Sequence, residues 1–209
     1  VGQWTCRWSE LLILTIGQAP VYSAVIENVD EHKKLLEPIV NDDSYWRQTS
    51  EWMSNTWSTM GHEKNTEIPW DGILKDVDSH LYEYLNIFNP RAGFGVQTRP
   101  WLNRYEKNGW QEQHNHLGAH AHFSMSYIID SQDQSNFVFA DRPDNWYDYM
   151  GISQFFNNWP QRNFIPEQKT GTLLIFPSAL DHFVMPNTSE QYRITASANF
   201  YITPEPGNE

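Results

Sequence analysis

Gly171-Thr172-Leu173-Leu174-Ile175-Phe176-Pro177-Ser178-Ala179-Leu180-Asp181-His182 reads as a strand, a turn and a histidine. Gly171 opens the apolar run and Pro177 ends it, so His182 arrives where a barrel strand would deliver a ligand to the rim. A second stretch lies upstream. His114-Asn115-His116 sets two imidazoles at i and i+2, and a strand projects such residues from one face, so both can reach one ion. His182 follows His116 by sixty-six residues, and Arg193 follows His182 by eleven. Neutral imidazole suits iron, copper, nickel or zinc, so the spacing leaves the metal open. The arginine narrows the chemistry, because a guanidinium fork near a metal matches a bidentate carboxylate such as that of a keto acid. Together these residues point to a metal-dependent oxygenase.

Outward from these stretches the side-chain period is two. Trp101, Asn103 and Tyr105 alternate with Leu102 and Arg104, and Phe123, Met125, Tyr127 and Ile129 alternate with His122, Ser124, Ser126 and Ile128. Phe137 to Ala140 and Tyr192 to Ile202 add further strands, and such short strands with turns between them predict a barrel or jelly roll. Upstream, residues 11 to 26 read as two strands broken at Gly17-Gln18-Ala19-Pro20. Asp30 is placed to cap a helix over Glu31 to Val40 with Leu35, Leu36 and Ile39 on one face, shortened or kinked by Pro38. Asp71 to Phe88 has helical spacing at Ile73, Leu74, Val77, Leu81, Tyr84, Leu85 and Phe88, and Asn89-Pro90 stops it. Asn41 to Pro69, with Trp46, Trp52 and Trp57, reads as a surface excursion suited to folding over a site entrance. Asp144 to Thr170 reads as an irregular insertion. The expected fold is mainly β with flanking helices, a cupin-like double-stranded β-helix. It forms one domain over residues 1–209, with a mixed portion of about 1–95 packed on a β core of about 96–203.

At 209 residues the chain suits one well-buried domain. Its net charge of −12 argues against a nucleic-acid duplex or an anionic membrane as partner. Arg99, Arg104 and Lys107 could form a local basic patch, but Glu106 interrupts them. The run Leu11-Leu12-Ile13-Leu14 is too short to span a bilayer. Cys6 is the only cysteine, so no intramolecular disulfide forms and a reducing cytoplasm is the natural compartment; the residue itself reads as a bystander. The chain opens at Val1 rather than Met, which leaves room for an upstream portion. Ten Trp, ten Tyr and eleven Phe are a heavy load that suits sheet faces and core.

Each candidate ligand has a rival. His120 and His122 repeat the His-x-His spacing, but His122 belongs to the polar set of the strand at 123–129, so the pair reads as solvent-facing or rim residues. Glu112 is a minority candidate for a carboxylate ligand. Asp181 reads as a turn residue or as an acceptor that orients a histidine. Arg193, Thr195, Ser197 and Asn199 share one strand face, with Ile194 and Ala196 on the other. An arginine leading a row of small polar groups suits an inward anion pocket, and Asn103, Tyr127 and Thr195 join Arg193 as the candidate co-substrate set.

Taken in order, Trp101-Leu102-Asn103, His114-Asn115-His116, Ser124-Met125-Ser126-Tyr127, Phe139-Ala140-Asp141-Arg142-Pro143, Gly171 to Ser178, His182, Arg193-Ile194-Thr195 and Asn199 resemble the 2-oxoglutarate and Fe(II)-dependent oxygenase family of marine bacteria and their phages. Ala19-Pro20-Val21-Tyr22 resembles that family's opening strand. The resemblance runs over roughly residues 11 to 202. It implies a double-stranded β-helix, Fe(II) as metal and 2-oxoglutarate as co-substrate, with succinate and carbon dioxide released as a substrate is hydroxylated. His114 and His182 would be ligands, and Arg193 would take the far carboxylate of 2-oxoglutarate. His116 stands where most such oxygenases have Asp or Glu, so either it completes a three-histidine site or a water takes that position. The substrate, a small molecule or a peptide, is not specified, nor is the oligomeric state. A cupin reading competes, because Gly171, Pro177, Ala179, His182 and Asn187 also resemble that family's second motif. The glutamate expected after His-x-His is absent, and Arg193 then has no special role. A non-catalytic metal-binding module is the remaining alternative.

Overall fold

Strand alternation governs the architecture in the computed structural model, which describes residues 7–8, 11–16, 19–50, 52–91, 93–132, 136–140 and 163–204. In chain order the strands and helices are β1 (Arg7–Trp8), β2 (Leu11–Ile16), β3 (Ala19–Val25), α1 (Val29–Val40), β4 (Arg47–Gln48), β5 (Trp57–Ser58) and α2 (Trp70–Asn86). They continue with β6 (Phe94–Tyr105), β7 (Gln111–His114), β8 (Phe123–Asp130), β9 (Phe137–Ala140), β10 (Asn163–Phe164), β11 (Thr172–Pro177), β12 (His182–Val184) and β13 (Arg193–Pro204). The large sheet has the order β1-β2-β3-β11-β8-β13-β6-β5-β4, and the small one β10-β9-β12-β7.

In the middle of the large sheet, on β11, β8 and β13, both faces are buried. On β13, Ile194, Ala196, Ala198 and Phe200 join the core that α1 and α2 cover, while Ser197 and Asn199 face the cavity between the sheets. On the cavity side Tyr105, Leu174 and Phe176 of the large sheet pack against Phe137, Phe139 and Val184 of the small one. Two facing antiparallel sheets with helices on one outer side form the double-stranded β-helix.

The helices depart slightly from expectation. α1 begins at Val29, so Asp30 lies inside its first turn, where its charge favours the helix dipole instead of capping the end. Its buried stripe is His32, Leu36 and Ile39, while Leu35 is 38% exposed. The i, i+4, i+7 geometry selects His32 over Leu35. In α2, Ile73, Val77, Leu81, Tyr84 and Leu85 are buried; Phe88 lies beyond the helix and is largely exposed.

The first ninety-five residues do more than pack against the β core, because five of their strands lengthen the same sheet. β3 pairs with β11 from Thr172↔Val25 to Ile175↔Tyr22, and β5 adds to β6 through Trp57↔Arg104 and Ser58↔Asn103. Arg104 fastens the 41–69 excursion. It is buried among the rings of Trp46, Trp57 and Tyr192, with Nη2 2.9 Å from Asp43 Oδ1. Of the insertion expected at 144–170, residues 144–162 lie outside the described residues, as does Cys6; residues 163 and 164 form β10 against β9. No described helix is long and apolar enough to cross a membrane.

Candidate metal centre and co-substrate pocket

β7 ends on His114 and β12 begins on His182, and the two are Cα partners across the small sheet. His116 lies past the end of β7, leading into a short turn at Leu117–Ala119. The strand rule for i and i+2 therefore does not place it; the bend after His114 does. Ring centroids are 4.3 Å apart for His114 and His182, 5.3 Å for His114 and His116, and 5.1 Å for His116 and His182. One nitrogen from each ring falls within 4.8 Å of the others.

The second nitrogen of each ring is spoken for. His114 Nδ1 is 2.8 Å from the carbonyl of Glu112, and His182 Nδ1 is 2.9 Å from that of Leu180. A carbonyl only accepts, so these rings donate from Nδ1 and keep a lone pair on Nε2. His116 Nδ1 meets side chains instead, Asn199 Oδ1 and Ser124 Oγ. Burial holds all three imidazoles below the ordinary histidine range: His114 is lowered, His116 falls to about 4, and His182 lies well below. Neutral, converging imidazoles with fixed tautomers are what a divalent transition metal requires, so the donor set fits iron.

Rings support the cluster. Phe137 stacks on His182 at 5.0 Å and 19°, and Phe176 meets it edge-on at 5.0 Å. The cavity over the histidines encloses about 210 Å³, with Trp52 and Met60 of the 41–69 excursion and Trp101 among its walls. Trp52 arrives there because the adjoining loop is tied to β7. Met53 N and Ser54 N donate to Glu112 Oε1 and Oε2 at 3.1 and 3.2 Å, and Thr56 Oγ1 donates to Trp110 O at 2.6 Å. Glu112 is thus a loop anchor, and the geometry does not support it as a metal ligand.

The polar row on β13 runs as the alternation predicts. Arg193 is the largest of the fully buried side chains, opposite Tyr105 in register, with Nη2 3.4 Å from Gln168 Oε1. Thr195 is hydrogen-bonded to the Tyr105 side chain, whose pKa burial pushes up to about 12 against the opposing pull of Arg193. Asn103 donates from Nδ2 to Ser197 Oγ at 3.1 Å, and its buried Oδ1 has no hydrogen-bond partner among the described residues. Asn103, Tyr105, Ser197 and Asn199 line the cavity; Arg193 and Thr195 are buried beside them without forming its wall. Tyr105 is the residue that sequence reasoning passed over. Its place in the Trp101/Asn103/Tyr105 set was the available signal.

One assignment is corrected and another narrowed. Tyr127 belongs to the helix-side core, where its hydroxyl meets His32 Nδ1 at 2.8 Å, so it is on the wrong face to touch a co-substrate. Asp181 keeps the first of its two readings, at the turn before β12: it accepts from Asn115 Nδ2 at 2.7 Å and Gln113 Nε2 at 3.4 Å, and no histidine among the described residues donates to it. His120 is exposed in the left-handed region at φ 55°, and His122 is exposed, its Nδ1 accepting from Ile202 N.

Residues 99–199, which contain every residue of the histidine cluster and Arg193, match the family model described as "Putative 2OG-Fe(II) oxygenase". No curated protein matches the chain. Among solved structures, HygX from Streptomyces hygroscopicus, with nickel and 2-oxoglutarate bound, is similar at a TM-score of 0.59 and 9% identity, over 86% of this chain and 82% of that one. A Pseudomonas putida prolyl-4-hydroxylase is similar at 0.55 and 12%, over 86% and 91%. The chain also spans about half, 52%, of an oxidoreductase of the 2OG-Fe(II) oxygenase family from Burkholderia pseudomallei, over 59% of its own length, at 14% identity and a TM-score of 0.43. Residues 99–199, just under half of the chain, thus carry its likeness to the 2OG-Fe(II) oxygenase family, and the solved structures share the fold.

Proposed function

We propose that this protein hydroxylates a small-molecule or peptide substrate, with His114, His116 and His182 holding Fe(II) and Arg193 answering the distal carboxylate of 2-oxoglutarate. The observation that carries the reading is the convergence of three neutral imidazoles beside a row that ends in a buried arginine. When bound, Fe(II) with 2-oxoglutarate and dioxygen supplies the oxidising power, releasing succinate and carbon dioxide.

The chain's own contribution is placement and exclusion of water. The carbonyls of Glu112 and Leu180 keep the protons of His114 and His182 on Nδ1. Phe137 and Phe176 fix the His182 ring and dry its surroundings. Arg193 supplies a fixed positive charge, with Tyr105, Thr195 and Asn103 as hydrogen-bonding neighbours along the same row. Trp52, Met60 and Trp101 form walls where a substrate would lie. We read the compartment as the reducing cytoplasm, on the single cysteine.

Anaerobic titration of the Fe(II)-loaded protein with 2-oxoglutarate, followed through the weak visible charge-transfer band of a chelated keto acid, tests the proposal. A saturable band is expected, abolished in His182→Ala. In Arg193→Ala the band should require about 10- to 100-fold more 2-oxoglutarate, the loss of a charge-assisted pair, with iron binding unchanged. No band on an iron-loaded protein would favour the cupin reading, and no iron binding would leave only a binding module.

A further inference from the structure

The main chain orients two of the three histidines, and each takes a carbonyl two residues upstream. His116 breaks the pattern. Its Nδ1 lies 2.6 Å from Asn199 Oδ1 and 2.8 Å from Ser124 Oγ. Ser124 Oγ is in turn 3.0 Å from Asn199 Oδ1 and 2.7 Å from Ser178 Oγ. Asn199 comes from β13, Ser124 from β8 and Ser178 from the turn after β11, and all three are buried. Ser178 also accepts the main-chain N–H of His116 through its carbonyl at 2.9 Å, so the backbone and ring of His116 are fixed from the same corner.

Asn199 Oδ1 can only accept, and it faces both His116 Nδ1 and the Ser124 hydroxyl; in the Ser124–Ser178 pair either hydroxyl can be the donor. His116 must then donate from Nδ1, which leaves its lone pair on Nε2. With the Asn199 amide turned over, its NH₂ would face His116, the proton would move to Nε2 and the ring would have nothing to offer a metal.

We propose that Asn199 is the positioning residue that makes His116 a metal ligand, and so allows an imidazole to stand where most of these oxygenases have a carboxylate. The proposal rests on reading the site as a three-histidine metal centre. Asn199 acts through His116 and need not touch the metal. Its position on the β13 face that also carries Arg193 gives one strand authority over both metal and co-substrate.

The test is Co(II) binding to the metal-free protein, by chelator competition and by the visible ligand-field spectrum, in wild type, His116→Ala, Asn199→Leu, Asn199→Asp and Ser124→Ala. Asn199→Leu should weaken Co(II) by about 10- to 100-fold, with the spectral change seen in His116→Ala. Asn199→Asp, an obligate acceptor, should restore wild-type affinity to within a few-fold. Ser124→Ala should shift affinity in the same direction as Leu by a smaller factor, which keeps the idea testable if Leu is not tolerated in the fold. Unchanged affinity in Asn199→Leu would overturn the proposal. So would failure of Asp to rescue, or an Asp variant that binds at least tenfold tighter than wild type, since that would mean the native amide turns its NH₂ to the ring. Unchanged affinity in His116→Ala would instead sink the three-histidine reading itself.

Discussion

His114 and His182 face each other as a Cα pair across β7 and β12, with ring centroids 4.3 Å apart. Burial disfavours a charge on both rings, and at His182 the neighbouring His114 and His116 add to it. The site is therefore built for the neutral state, which is also the metal-binding state.

A pH dependence follows. Free histidine titrates near 6.5, whereas His116 in the fold is lowered to about 4, and His114 and His182 are lowered as well. Between those values the unfolded chain binds protons that the native site refuses, so the native state loses stability as pH falls through that window. Denaturant melts of the metal-free protein from pH 7.5 to pH 4 should show the loss, and a variant with all three histidines replaced by Ala should show a flatter profile. Parallel profiles for the two proteins would refute it.

Glu112→Gln tests the loop anchor. One amide oxygen replaces a carboxylate that receives two main-chain N–H groups, from Met53 and Ser54. The loss of about 1–2 kcal/mol of local hydrogen bonding should speed amide exchange at residues 53 and 54 about tenfold, while Co(II) affinity stays within a few-fold of wild type. If metal affinity fell and exchange did not change, Glu112 would be a ligand after all.

Tyr127→Phe separates the two faces of β8. Removing the hydroxyl leaves His32 Nδ1 without that partner in the core under α1, where His32 Nε2 also meets Asp76 Oδ2 at 3.1 Å. Stability should fall by about 1–3 kcal/mol, read as a lower melting temperature, and 2-oxoglutarate should bind as it does to wild type. Weakened co-substrate binding at unchanged stability would return Tyr127 to the pocket.

What could be read in the sequence follows from one number, the period of two. It sorted Arg193, Thr195, Ser197 and Asn199 from Ile194 and Ala196 correctly, because one set is polar and the other apolar. It could not say which face of β8 met the metal, since that strand is buried on both sides while its polar set, with His122, reads as a rim or solvent face. Tyr127 was misplaced for that reason, although the small polar Ser124 and Ser126 opposite it mark the cavity side. The three histidines were legible through their chemistry and spacing. The roles of Asp181 and Glu112 were not, because a carboxylate beside a ligand looks the same whether it grips a metal, an amide or a loop. The union of β3 with β11 and of β5 with β6 joins segments far apart in sequence, and no local pattern announces such a pairing.

β7 stands at the edge of the small sheet, with β12 on one side and the side-chain ties of loop 52–56 on the other. That loop also carries Trp52 into the cavity wall. Trp52 is therefore held to the strand that carries His114, two residues beyond Glu112. The outer wall of the pocket and the strand that presents the first imidazole thus share one set of hydrogen bonds, those received by Glu112 and Trp110.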